Sequence, residues 1–259
     1  MRIGAYQFPV TGDLTRNLDK IKQAVALACR EGVQLLLLPE CALTGYPPRD
    51  VPNPAAVDFR QVDGACREIA GLAATHGLFI VLGTITKRDD HFLNSALLFT
   101  PDGERHEYHK RALWGWDRDH FIPGDQEGVF DILGCKVGVR ICFEVRFPEY
   151  FRQLYRARTD LNIILFYDVS DRDDAERYEL IKAHIRTRAV ENVCPIVTVN
   201  SSGPYQTAPT ALFDRSGRVL MEMNRNEEAL LVCDWQDSPL GFGEQGRRAV
   251  SDALLESKW

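Results

Sequence analysis

Residues 33–38 hold four leucines in succession, Leu35 to Leu38, followed at once by Pro39 and Glu40. A strand with one wet face alternates apolar and polar side chains. A short run without that alternation belongs to a strand covered on both faces, which requires packing layers above and below its sheet. Residues 161–166 repeat the feature with Leu161, Ile163, Ile164, Leu165 and Phe166. Between these runs the period changes to that of amphipathic helices. Residues 14–31 set Leu18, Ile21, Val25 and Ala28 on one face, and residues 174–192 do the same with Tyr178, Ile181, Ile185 and Ala189. Residues 58–77 read as a further helix, and strands are expected at 2–8, 78–86, 94–99, 104–109, 195–200, 210–213, 219–221 and 229–233. Alternation of this kind predicts an α/β fold. No Gly/Ser/Pro linker and no internal repeat divides the chain, so residues 1–259 are expected to form one domain, with an aromatic loop at 110–127 and an irregular tail after Trp235.

The formal net charge of −6, without any basic run, argues against a nucleic-acid partner. No stretch approaches the roughly 18 apolar residues of a membrane span, and the first residues lack the apolar core of a signal peptide. Seven scattered cysteines without a C-x-x-C pair fit neither a zinc site nor a disulfide framework, so a reducing cytoplasm is expected.

One cysteine stands apart. In Gly-Val-Arg-Ile-Cys-Phe-Glu-Val-Arg-Phe-Pro-Glu (138–149), Val137, Val139 and Ile141 alternate as in a half-buried strand, and Pro148 suits the first turn of a helix. Cys142 therefore falls at a strand-to-helix turn, where helix-start amides would favour a thiolate. A cysteine nucleophile also needs a base and an oxyanion partner. Glu40 ends a strand buried on both faces, at the sheet edge where α/β active sites form, and desolvation would raise its pKa toward that of a useful base. Lys110 ends a strand and opens the aromatic loop, and an ammonium there would stabilise an oxyanion and lower a nearby thiol's pKa.

Leu-Pro-Glu (38–40), His-Lys-Arg-x-Leu (109–113) and Ile-Cys-Phe-Glu-Val-Arg-Phe-Pro-Glu (141–149) together resemble the three signatures of the nitrilase, or carbon–nitrogen hydrolase, superfamily, in its order and at about its spacing. The resemblance covers nearly the whole chain and includes Thr44-Gly45-Tyr46 and Arg188-Ala189-Val190-Glu191-Asn192. It implies a four-layer α-β-β-α sandwich and a catalytic triad of Glu40, Lys110 and Cys142. It implies also thiolate attack on an amide or nitrile carbon, a thioester hydrolysed by water, and an oxyanion held by Lys110 and the N–H of Phe143. Neither metal nor organic cofactor is implied; a homodimer or larger homo-oligomer is.

Where many relatives carry a fourth acid as Glu, this chain has Asp117, expected to position Lys110 or the substrate. Tyr46, Trp114, Trp116 and Phe143 are expected to wall the pocket, and Asp168, at the end of the 161–166 strand, to face it and favour cationic substrates. Arg146 and Glu149 are expected to pair within the elbow, and Asn94, Arg188, Glu191 and Asn192 to serve as scaffold. The expected function is hydrolysis of a small linear amide or N-carbamoyl compound. Nitrile hydrolysis, acyl transfer to an amine, and a non-catalytic scaffold of the same fold are the alternatives.

Overall fold

The computed structural model describes residues 1–256; positions 257–259 of the expected domain lie outside the described residues. In chain order the elements are β1 (Arg2–Gln7), α1 (Leu14–Arg30), β2 (Leu35–Leu37), α2 (Phe59–His76), β3 (Phe79–Arg88), β4 (His91–Phe99), β5 (Arg105–His109), β6 (Val129–Ile132) and β7 (Cys135–Ile141). There follow α3 (Pro148–Ala157), β8 (Leu161–Phe166), β9 (Val169–Ser170), α4 (Ala175–Asn192), β10 (Ile196–Asn200), β11 (Tyr205–Gln206), β12 (Ala211–Phe213), β13 (Val219–Glu222), β14 (Ala229–Asp234) and α5 (Phe242–Glu256).

Two mixed six-stranded sheets, ordered β14-β1-β2-β3-β4-β5 and β13-β12-β10-β8-β7-β6, lie face to face. The leucine run explains the layering. Leu35 and Leu37 join Val139, Ile163 and Val199 in the interior between the sheets. Leu36 and Leu38 point the other way, against Ile21 and Val25 of α1 and Val62 and Ile69 of α2. The second sheet mirrors this, with Leu161, Ile163 and Leu165 inward and Ile164 and Phe166 against Ile181 and Ile185 of α4. The result is the expected α-β-β-α sandwich, in which each fully buried leucine contributes roughly 1.5–3 kcal/mol of burial. Asp13, Asp58 and Asp174 cap α1, α2 and α4 by accepting from free N–H groups of the first turn. No described helix is long and apolar enough to cross a membrane.

Three expectations give way. The tail after Trp235 is not wholly irregular, because α5 forms there and anchors Asp252 to Tyr155 of α3 and to Arg158 just after it. β7 is buried on both faces: Arg140 is fully buried, its guanidinium donating to the carbonyls of Tyr150, Glu127 and Val139 and lying over the Tyr108 ring. A cation so supplied with acceptors tolerates burial, and that broke the alternation seen in the sequence. The residues after Cys142 also do not enter α3 directly. A 3₁₀ turn, Cys142–Arg146, intervenes, so the thiol does not sit at the N-terminus of α3.

Candidate active site

β2, β5, β7 and β8 all deliver their carboxyl ends to one edge of the sandwich, and each is followed by a site residue. Glu40 follows β2, and its N–H donates to the carbonyl of Phe166 at the end of β8 (3.2 Å), joining the two sheets there. β3 can run beneath it only because residue 83 is glycine: a Cβ on Gly83 would come within 2.1 Å of the Pro39 carbonyl oxygen. Lys110 follows β5; its N–H donates to the Asn94 carbonyl and its own carbonyl accepts from Gly124. Cys142 follows β7 in the left-handed region at φ 45°, a conformation costing a non-glycine residue about 1–3 kcal/mol.

The charged groups meet below the surface. The Lys110 ammonium lies 2.8 Å from Glu40 Oε1 and 3.0 Å from Asp117 Oδ2, and all three residues are at most 1% exposed. Glu40 also accepts from the Asn94 side chain (2.7 Å) and from the backbone N–H of Tyr167 (2.9 Å). Asp117 accepts from Tyr46 OH at 2.7 Å, and that oxygen accepts from Trp114 Nε1 at 2.6 Å. Asn94, expected to be scaffold, thus holds the candidate base. A polar residue inside an apolar strand run was the signal, since a buried amide needs a partner.

Burial raises the pKa of Glu40; the charge and hydrogen bond of Lys110 oppose the rise, and the negative charge of Asp117 adds to it. Burial alone would favour a neutral Lys110, but Glu40 foremost, and Asp117 with it, hold the ammonium charged and its pKa well above the usual lysine value. Burial likewise pushes the Cys142 thiol well up, Glu40 adds to this by charge and by a hydrogen bond, and Lys110 opposes. The free protein therefore keeps a neutral thiol beside a carboxylate able to accept its proton.

Sequence reasoning gave Glu144 no role. It is fully buried and ties the elbow to the lysine segment: Oε1 accepts from Tyr108 OH (2.6 Å) and the Arg111 N–H (2.8 Å), while Oε2 accepts from the Ile141 N–H (2.6 Å). Its signal was an acid two residues past the thiol in an otherwise apolar stretch. Arg188 holds the far side of the elbow through the carbonyls of Val145 and Arg146 and pairs with Glu191, the scaffold role expected of it.

A cleft of about 660 Å³ opens over Cys142, with Tyr46, Trp114, Phe143, Tyr167 and Asp168 in its wall. Tyr46, Trp114 and Phe143 lie where the sequence put them. Trp116 does not, being stacked on His120 at 3.6 Å outside the cleft wall. Arg146 makes no ion pair with Glu149 and instead lines the cleft, its guanidinium over the Phe143 ring. Asp168 lines the cleft but is not free to hold a substrate amine. Arg177 grips it with two nitrogens, at 2.8 and 3.0 Å, and Thr207 donates to it as well. Its charge is already matched, which removes the basis for expecting cationic substrates. Among the described residues no group of three or more His, Cys, Asp or Glu side chains is disposed to hold a metal ion.

This edge-of-sheet cluster on a four-layer sandwich defines a hydrolase of the nitrilase type. The chain matches the carbon-nitrogen hydrolase family over residues 2–238 and belongs to it. It is 28% identical to an (R)-stereoselective amidase from Pseudomonas sp., over 83% of this chain and 78% of that protein. Among solved structures, a variant of the amidase from Nesterenkonia sp. AN1 carrying acrylamide on its active-site cysteine superposes with a TM-score of 0.81, at 27% identity and 98% and 99% coverage of the two chains. The same amidase with its cysteine replaced by alanine, in complex with butyramide, matches at 28% identity and TM-score 0.81, covering 98% of this chain and 96% of that one.

Proposed function

We propose that this protein hydrolyses the C–N bond of a small linear amide or N-carbamoyl compound through a thioester on Cys142, with residues 1–259 as one hydrolase domain. The observation that carries the reading is a thiol at a left-handed elbow beside a buried carboxylate that already shares an ammonium. Glu40 takes the thiol proton as sulfur attacks the carbonyl carbon, and the C=O electrons move to oxygen. Lys110 and the Phe143 N–H stabilise that oxyanion. As the C–N bond breaks, Glu40 returns the proton to nitrogen and ammonia or an amine leaves. Water then gives its proton to Glu40 and attacks the thioester; the C–S bond breaks and the thiol is restored. Asp117 is a second carboxylate on the Lys110 ammonium and is itself held by Tyr46.

The chemistry needs a thiol that stays reduced, and all seven cysteines are unpaired, in keeping with a cytoplasmic setting. The same reading has the protein act as a homodimer or larger assembly, for which exposed Leu220, Phe242 and Val250 offer apolar surface. The test is ammonia release from a panel of small amides and carbamoyl compounds, with intact-mass detection of an acyl adduct. Cys142→Ala is expected to abolish release and adduct together while circular dichroism stays unchanged; appreciable residual turnover would refute the thioester route.

A further inference from the structure

The wall of the cleft carries four arginines, Arg49, Arg146, Arg172 and Arg177, against three aspartates, Asp168, Asp171 and Asp174. Two of the arginines are spent. Arg177 is bound to Asp168, and Arg49 is bound to Asp171. Asp174 is committed to the start of α4, where its carboxylate accepts from the Arg177 N–H at 2.9 Å. Below the wall, Glu40 and Asp117 are both engaged by Lys110. Arg146 and Arg172 remain without an acidic partner among the described residues. Arg146 stands over the Phe143 ring, next in sequence to the nucleophile, and Arg172 is exposed on the segment just before α4.

A bound anion meets little competition here. Arg188, which donates to the Arg146 carbonyl, is paired with Glu191, and His184 has its pKa lowered by burial and by Arg146 and Arg188, so it stays neutral and adds no competing positive charge. Asp168 and Arg177 line the same cleft as Cys142, and the charge of Asp168 helps to raise the thiol's pKa, so this ion pair lies within electrostatic reach of the sulfur. A free guanidinium in a partly desolvated wall is a good partner for a planar carboxylate, because its paired N–H donors match two oxygens.

We infer that the cleft selects amides bearing a carboxylate at the end remote from the scissile bond, with Arg146 and Arg172 as the specificity-determining residues. The inference rests on the amide-hydrolase reading of Cys142, from which its test is separable. The aromatic wall of Tyr46, Trp114 and Phe143 takes the aliphatic middle of such a substrate, and the two guanidinium groups take its charged end.

The experiment measures binding to the Cys142→Ala protein by calorimetry, with glutaramate, pentanamide and γ-aminobutyramide as matched anionic, neutral and cationic probes. Glutaramate is expected to bind about tenfold or more tighter than pentanamide, γ-aminobutyramide more weakly than either, and the anionic advantage to shrink with added salt. Adding Arg172→Glu, an exposed substitution with little bearing on folding, is expected to reduce the glutaramate-to-pentanamide ratio about tenfold; Arg146→Gln should reduce it as well. Equal binding of the three probes, preference for the amine, or a ratio unchanged in both variants overturns the inference. Ammonia release by the unaltered enzyme is the separate readout. Tight glutaramate binding with no release from any amide would sustain the charge selection and overturn the hydrolase reading, whereas release without charge preference would do the reverse.

Discussion

Glu144→Gln exchanges one carboxylate oxygen for an amide nitrogen and should reveal how the elbow is held. Oε1 serves Tyr108 OH and the Arg111 N–H, and a glutamine carbonyl can take over both. Oε2 serves the Ile141 N–H at 2.6 Å, and there the amide presents its own N–H groups, so two donors face each other in a fully buried site. The loss is one charge-assisted hydrogen bond plus one stranded buried donor, about 2–4 kcal/mol. For a chain of 259 residues that corresponds to a fall in Tm of roughly 5–12 °C. Because Ile141 precedes the left-handed Cys142, the expected kinetic signature is a lower kcat with little change in KM. Rotating the amide does not rescue the site, since the donor then faces Tyr108 and Arg111. Thermal denaturation followed by ammonia-release kinetics on the folded protein gives both numbers. A Tm within 2 °C of the parent, roughly the scale of 1 kcal/mol, would refute the account of Glu144 as the tie between elbow and lysine segment.

Glu40→Gln is expected to slow both thioester formation and its hydrolysis by about 10²- to 10⁴-fold, the usual worth of a positioned general base; a pre-steady-state burst of ammonia at the parent rate would show that another group takes the proton. Asp117→Asn removes a negative charge that raises the Glu40 pKa, so that pKa should fall. A base works deprotonated and fails as pH drops through its pKa, so the acid limb of the kcat/KM profile should move to lower pH; an unmoved limb, or one moved upward, would detach Asp117 from Glu40.

The layers were legible because burial on both faces leaves a plain mark: with no polar alternation in 35–38, two coverings were required, and Leu35/Leu37 and Leu36/Leu38 meet two different cores. The positions of Glu40, Lys110 and Cys142 were legible because strand ends can be read from the same pattern. What the sequence hid was partnership. Arg140 looked like the polar face of β7 because nothing in the chain announces that three carbonyls converge on it. Asp168 looked like a free charge because Arg177, nine residues on, reads as one more solvated helix arginine until the first turn of α4 brings it back. Trp116 left the expected pocket wall because His120, one helical turn away, gave its ring a closer surface. Pairing across elements decides charge, and periodicity within one element is blind to it.

That distinction bears on how the thiol is put to use. A cysteine set at a helix N-terminus is activated before substrate arrives, because the helix lowers its pKa. Cys142 lacks that setting, and burial with the charge of Glu40 holds its thiol up. On the proposed reading, the nucleophile exists only while a carbonyl oxygen is present to draw on Lys110. As the oxyanion takes up part of the ammonium's field, Glu40 loses part of the interaction that lowers its pKa and becomes a stronger base at the moment the proton must move. The resting thiol is then less reactive than a preformed thiolate would be, and its chemistry depends on substrate, since the thiolate is the reactive form.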